Sequence, residues 1–131
     1  MTGAPDLTGR RILVVEDDYY LAGDTAAALR GAGAIVLGPC PNEKAALERL
    51  ASETPSHAVV DLNLGGGAPR FEIARALAER GVPYLFITGY DSEAMPAGFA
   101  DVPRLEKPVE FRRLVEAVSQ LEASMQAAEA P

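Results

Sequence analysis

The chain has 131 residues, of which 48% are apolar, enough for one buried core with no length left for a second. Its formal charge of −7 excludes a broad surface for nucleic acid or an anionic membrane and leaves proteins, cations or small molecules as partners. Cys40 is the only cysteine, so neither an intramolecular disulfide nor a thiolate metal cluster is available. With no targeting pattern in residues 1–8 and no apolar run of bilayer length, the expectation is one cytoplasmic domain, residues 1–131, with its core at about 10–121 and frayed ends.

Taken in chain order, short β-branched runs alternate with helical patterns. Arg11-Ile12-Leu13-Val14-Val15 reads as the first strand. A helix follows from Tyr20 to Gly33, its apolar face expected at Leu21, Ala28, Leu29 and Ala32. Ala34-Ile35-Val36-Leu37 is the second strand. The next helix, Asn42 to Glu53, runs through Ala45, Ala46, Leu47 and Leu50. His57-Ala58-Val59-Val60 makes the third strand. The third helix is expected from about Arg70 to Glu79, with Ile73, Ala74, Leu77 and Ala78 inward and Gly81 as its stop. Pro83-Tyr84-Leu85-Phe86-Ile87 is the fourth strand. Between Asp91 and Val102, Pro96 and Gly98 would cost a helix roughly 3 and 1 kcal/mol relative to alanine, so a short turn or loop is expected there. The last helix begins near Val109 and reaches about Met125 through Phe111, Leu114, Val115, Val118 and Leu121.

These strands are too continuously apolar to be half-exposed, and such strands belong to parallel sheets covered on both faces. The economical architecture is α/β: a doubly wound, five-stranded parallel sheet of flavodoxin-like form, with its fourth helix short or irregular. In such sheets ligands bind beyond the carboxyl ends of the strands, near the point where strand order reverses. Four segments place reactive side chains there: Glu16-Asp17-Asp18, Asp61 with Asn63, Thr88, and Lys107-Pro108. Clustered carboxylates repel one another unless a cation joins them, and oxygen ligands suit Mg²⁺ better than zinc. Thr88 adds a hydroxyl donor and Lys107 a positive charge. A carboxylate nucleophile with Mg²⁺, a lysine and a hydroxyl is the equipment of phosphoryl transfer, with an aspartyl phosphate as product.

Ile12-Leu13-Val14-Val15-Glu16-Asp17-Asp18, Val59-Val60-Asp61-Leu62 and Leu105-Glu106-Lys107-Pro108, with Thr88 between them, resemble the receiver domains of bacterial two-component response regulators over residues 10–121. The resemblance implies that Asp61 is the phosphoacceptor and Asp17 a direct Mg²⁺ ligand. It implies further that Glu16 acts through metal-bound water, that Asn63 offers its backbone carbonyl, and that Thr88 and Lys107 contact the phosphoryl group. A sensor histidine kinase or phosphotransferase would be the donor, and an unidentified downstream protein or phosphate flow the output. Such a domain standing alone is no enzyme beyond its own phosphorylation and dephosphorylation. Leu62-Asn63-Leu64-Gly65-Gly66 and the run from Arg80 to Tyr90 are also similar to the alphaproteobacterial FATGUY receivers linked to general stress signalling, with Ile87 where those have alanine. Arg104 stands where many receivers carry an aromatic that reports phosphorylation, and the Lys107-Pro108 bond is expected to be cis.

The remaining conspicuous residues take bland readings. Asp18 and Asp24 are solvated turn or cap residues, His57 a solvent-facing histidine, Cys40 a small packed or loop residue, and Tyr19-Tyr20 a helix-start packing pair. Gly65-Gly66-Gly67 lacks the lysine and hydroxyl residue of a P-loop and reads as a loop. Two other functions compete with the phosphoacceptor. A haloacid dehalogenase-type phosphohydrolase would want a second aspartate where Asn63 stands and a cap domain. A pseudo-receiver that only binds partners would not need the intact acid, threonine and lysine set.

Overall fold

The computed structural model describes residues 5–62, 71–89 and 97–129. Asn63, Gly65-Gly66-Gly67, Arg70, Tyr90 and the part of the 91–102 segment up to Pro96 lie outside these residues. The elements are β1 (Arg11–Val15), α1 (Tyr19–Gly31), β2 (Ile35–Cys40), α2 (Glu43–Ser52), β3 (His57–Asp61), α3 (Glu72–Glu79), β4 (Tyr84–Thr88), β5 (Arg104–Glu106) and α4 (Phe111–Glu129), with a 3-10 turn at Ala97–Phe99. The turn stands where proline and glycine argued against a full helix.

All strand pairs are parallel, in the order β2-β1-β3-β4-β5. The alternation of side chains along each strand divides the core between the two faces of the sheet. Leu13, Val15, Ala58, Val60 and Phe86 pack against Ala46 and Leu50 of α2 and Ile73, Ala74 and Leu77 of α3. Ile12, Val14, Val59, Leu85 and Ile87 pack against Ala26 and Leu29 of α1 and Leu114, Val118 and Leu121 of α4. Both faces being covered explains why β1, β3 and β4 read as unbroken apolar runs.

Helix ends follow local chemistry. Asp18 caps α1 by accepting from the Leu21 amide at 3.0 Å, and Asn42 caps α2 by accepting from the Ala45 amide at 2.8 Å. Beyond α1, Gly33 has φ 103°, and a Cβ there would lie 2.5 Å from Thr8 Oγ1, so the turn into β2 requires glycine. β2 runs past the expected Leu37, through Gly38 (φ 99°) and a cis Pro39, where its register with β1 shifts. As an edge strand it tolerates a proline that donates no hydrogen bond.

Four expectations are corrected. The buried stripe of α1 is Ala22, Thr25, Ala26 and Leu29, rotated from the expected face. An alanine-rich helix has too weak an apolar contrast to fix its own rotation, and the sheet selects it. Ala78 is exposed and Ala76 is packed against the core. His57 is 3% exposed, because β3 is central, lies between β1 and β4, and is buried along its whole length. Tyr19 and Tyr20 do begin a helix, but at 83% and 79% exposure they pack against no core. Asp18 and Cys40 are as expected, an exposed cap and a buried residue; Asp24 is exposed as expected but lies within α1, at neither a turn nor a cap. No described helix is long and apolar enough to cross a membrane.

Candidate functional site

The sheet order reverses between β1 and β3, since the chain leaves β1 for β2 on one side and returns to β3 on the other. Glu16 and Asp17 follow β1, and Asp61 ends β3, so three carboxylates meet at the switch point because of topology alone. One carboxylate oxygen from each of the three lies within 4.8 Å of the other two. Thr88 ends β4, buried beside them in the strand order, and its carbonyl accepts from the Lys107 amide at 2.9 Å. That bond carries the chain from β5 toward the carboxylates. The Lys107-Pro108 bond is cis, as expected, and Lys107 Nζ stands 3.2 Å from Asp61 Oδ2. Of the site residues named from the sequence, Glu16, Asp17, Asp61, Thr88 and Lys107 are thus gathered at one end of the sheet; Asn63 lies outside the described residues.

The electrostatics are those of a crowded acid pocket. Asp61 is fully buried and Glu16 is 3% exposed, while Asp17 opens to solvent. Burial pushes the Glu16 carboxyl up to about 8, with a hydrogen bond to Asp61 and its charge adding to the rise; the Asp18 amide and Lys107 pull against it. Burial by itself would lower the Lys107 pKa, but the charges of Asp61 and Glu16, the hydrogen bond to Asp61 and the charge of Asp17 outweigh it and hold the ammonium form. Glu16 Oε2 accepts from the Asp18 amide at 3.2 Å, whereas its buried Oε1 has no hydrogen-bond partner among the described residues. An unsatisfied buried carboxylate oxygen is costly unless a cation or water completes it. The donor set of three oxygens from three carboxylates fits a hard divalent cation such as Mg²⁺.

One residue near the site was invisible in the sequence. Glu43, in the first turn of α2, is buried, and its Oε2 accepts from the Ile73 amide of α3 at 3.1 Å. Phe71, at the start of α3, makes no side-chain cap, so the capping acceptor comes from another helix. No local spacing signals a cap that bridges 30 residues. Arg104 lies on β5 paired with Phe86, half-buried, and one buried guanidinium nitrogen has no hydrogen-bond partner among the described residues.

Comparison with protein-family models and with curated protein sequences gives no match. Solved structures do match. The solution structure of SdrG from Sphingomonas melonis is 28% identical, with a TM-score of 0.71 over 95% of this chain and 99% of that one. A response regulator receiver protein from Sinorhizobium medicae is 26% identical, with a TM-score of 0.75 over 92% and 99%. The PhyR stress response regulator is 26% identical at a TM-score of 0.73, over 88% of this chain and 45% of that one, so the chain spans less than half of that regulator. By fold and by these likenesses the chain has the structure of a response regulator receiver domain. The neighbours do not single out the FATGUY subgroup.

Proposed function

We propose that this receiver accepts a phosphoryl group on Asp61 and signals through the change that follows. The observation that carries the reading is the buried Asp61 carboxylate at the switch point, flanked by Glu16 and Asp17 and paired at 3.2 Å with Lys107. In the transfer an Asp61 oxygen forms the new bond to phosphorus while the bond from phosphorus to the donor breaks. With a phosphohistidine donor the leaving imidazole keeps the electron pair and takes up a proton. Lys107 neutralises charge on the phosphoryl oxygens, and the Thr88 hydroxyl donates a hydrogen bond to one of them. Mg²⁺, held by Glu16, Asp17 and Asp61 together with the Asn63 carbonyl, would supply further charge neutralisation on the same oxygens.

A histidine kinase or phosphotransferase is the donor class this chemistry asks for, and a downstream protein the reader, in the cytoplasm where such donors act. Catalysis is confined to the domain's own phosphorylation and dephosphorylation. A general stress pathway, as in the FATGUY receivers, is the narrower form of this proposal. Incubation with acetyl phosphate and Mg²⁺ tests the assignment. The wild type should gain one hydroxylamine-labile phosphoryl group by intact mass, and Asp61→Asn should gain none while keeping its circular dichroism and cooperative unfolding. A labile adduct of equal yield in Asp61→Asn would refute Asp61 as the acceptor.

A further inference from the structure

Tyr19 and Tyr20 stand out from everything else on the described surface. They are adjacent, 83% and 79% exposed, and their rings meet edge to face at 5.4 Å and 86°. Ile35 is the only other large hydrophobic side chain exposed among the described residues, so the pair is not part of a general apolar surface. They border a groove of about 530 Å³ between the first turns of α1 and the β2–α2 connection, where Asp17, Asp24, Pro39 and Pro41 form other parts of the wall. The groove reaches the buried Glu16, its exposed acidic lining is Asp17 and Asp24, and among the described residues no lysine or arginine lines it.

Charge and shape together select the occupant. A second copy of this chain, itself at −7, is repelled, and so are an anionic membrane and a nucleic acid. A cation is attracted by the carboxylates and by the ring faces alike. A planar guanidinium fits this combination better than an ammonium, because it stacks on an aromatic face while its edge donates to a carboxylate. We infer that the groove is a docking site for an arginine side chain presented by a protein partner, seated against Tyr19 and Tyr20 and paired with Asp17 or Asp24. The inference stands on the groove and is independent of phosphoryl transfer to Asp61. Because Asp17 and Glu16 belong both to the groove and to the acid cluster, a cation in the cluster and the arginine weaken each other's binding without excluding it.

The test is an NMR titration of the full chain with Nα-acetyl-arginine amide, with Nα-acetyl-lysine amide as control. Saturable amide shifts should be confined to residues 16–24 and Cys40, with the arginine compound binding roughly two- to fivefold more tightly than the lysine one. Tyr19→Ala/Tyr20→Ala should weaken arginine binding about tenfold while leaving acetyl phosphate labelling of Asp61 unchanged. If that variant fails to fold, Asp24→Asn provides the same test from the charge side, with a severalfold loss expected. Asp61→Asn should keep arginine binding, which separates this inference from the phosphoacceptor reading. Four results would overturn it: no saturable shift, equal binding of the lysine compound, binding unchanged in the tyrosine variant, or binding abolished by Mg²⁺, which would put the cation in the acid cluster. Self-association through the same residues in place of arginine binding would assign the groove to a second copy and overturn it equally.

Discussion

Glu16 is the residue whose chemistry the fold displaces furthest. Its carboxyl is raised from 4.5 to about 8, first by burial and then by Asp61. The folded protein therefore keeps a proton on Glu16 across a pH range in which the unfolded chain has already lost it. The contribution of Glu16 to stability is fully present below about 4.5 and is lost as pH rises to about 8, because the native state binds the extra proton throughout that window. In metal-free buffer the melting temperature should drop by a few degrees across this range, and Glu16→Gln should flatten the slope. Lys107, whose pKa is raised above its ordinary value, stays charged across this window, so the slope is that of Glu16 beside Asp61. Mg²⁺ should remove most of it by taking the proton's place. A metal-free melting profile that is flat or rises over this range, or a Glu16→Gln profile as steep as the wild type, would count against the assignment.

At the scale of elements, the start of α3 and the turn at Ala97–Phe99 are anchored by contacts from elsewhere in the chain. The start of α3 is held by the Glu43 carboxylate from α2 and by the Phe71 ring, which stacks on Phe99 at 4.8 Å and 20° and meets Phe86 edge-on at 6.0 Å. Glu43→Ala leaves the Ile73 amide without its acceptor and should cost about 1–2 kcal/mol in urea unfolding, with Glu43→Gln recovering most of it. A cost below the error of the measurement would mean that water replaces the cap. The 3-10 turn at Ala97–Phe99 has Phe99 as its buried anchor, with the Arg75 guanidinium 5.9 Å from the Phe99 ring centroid. So short an element, held by one ring, should open more readily than β4. Amides of residues 97–102 should exchange faster than those of Tyr84–Thr88, and beryllofluoride with Mg²⁺ should change their protection as Thr88 is drawn toward Asp61. Strong protection that does not respond to beryllofluoride would remove this segment from the switch.

For the whole molecule, the decisive feature is that one sheet serves two cores. β3 and β4 are buried along their full length, so neither face can be disrupted without exposing the back of the other. Leu77 of α3 and Leu114 of α4 are both fully buried on opposite faces. Leu77→Ala and Leu114→Ala should each cost about 2–4 kcal/mol and should lower one shared unfolding transition. Their effects should add in the double variant, since the sheet separates them. Two resolved transitions in either variant would show that the helix layers unfold independently.

Much of this was legible along the chain because it rests on local pattern. Strand and helix alternation, the parallel sheet and the carboxylates at strand ends follow from short apolar runs that stop at Glu16, Asp61 and Thr88, since side-chain type and spacing alone dictate them. The cap at Asp18 and the cis Lys107-Pro108 bond were equally local. What needed the tertiary structure was anything decided between elements. The rotation of α1 was set by the sheet it packs on, because its own alanine-rich surface could not set it. His57 went inward because its strand is central, a property of strand order that no single strand carries. Glu43 became a cap because α2 and α3 lie side by side. The raised pKa of Glu16 and the exposure of Tyr19 and Tyr20 are likewise consequences of neighbours brought together from distant parts of the chain, and only folding supplies those neighbours.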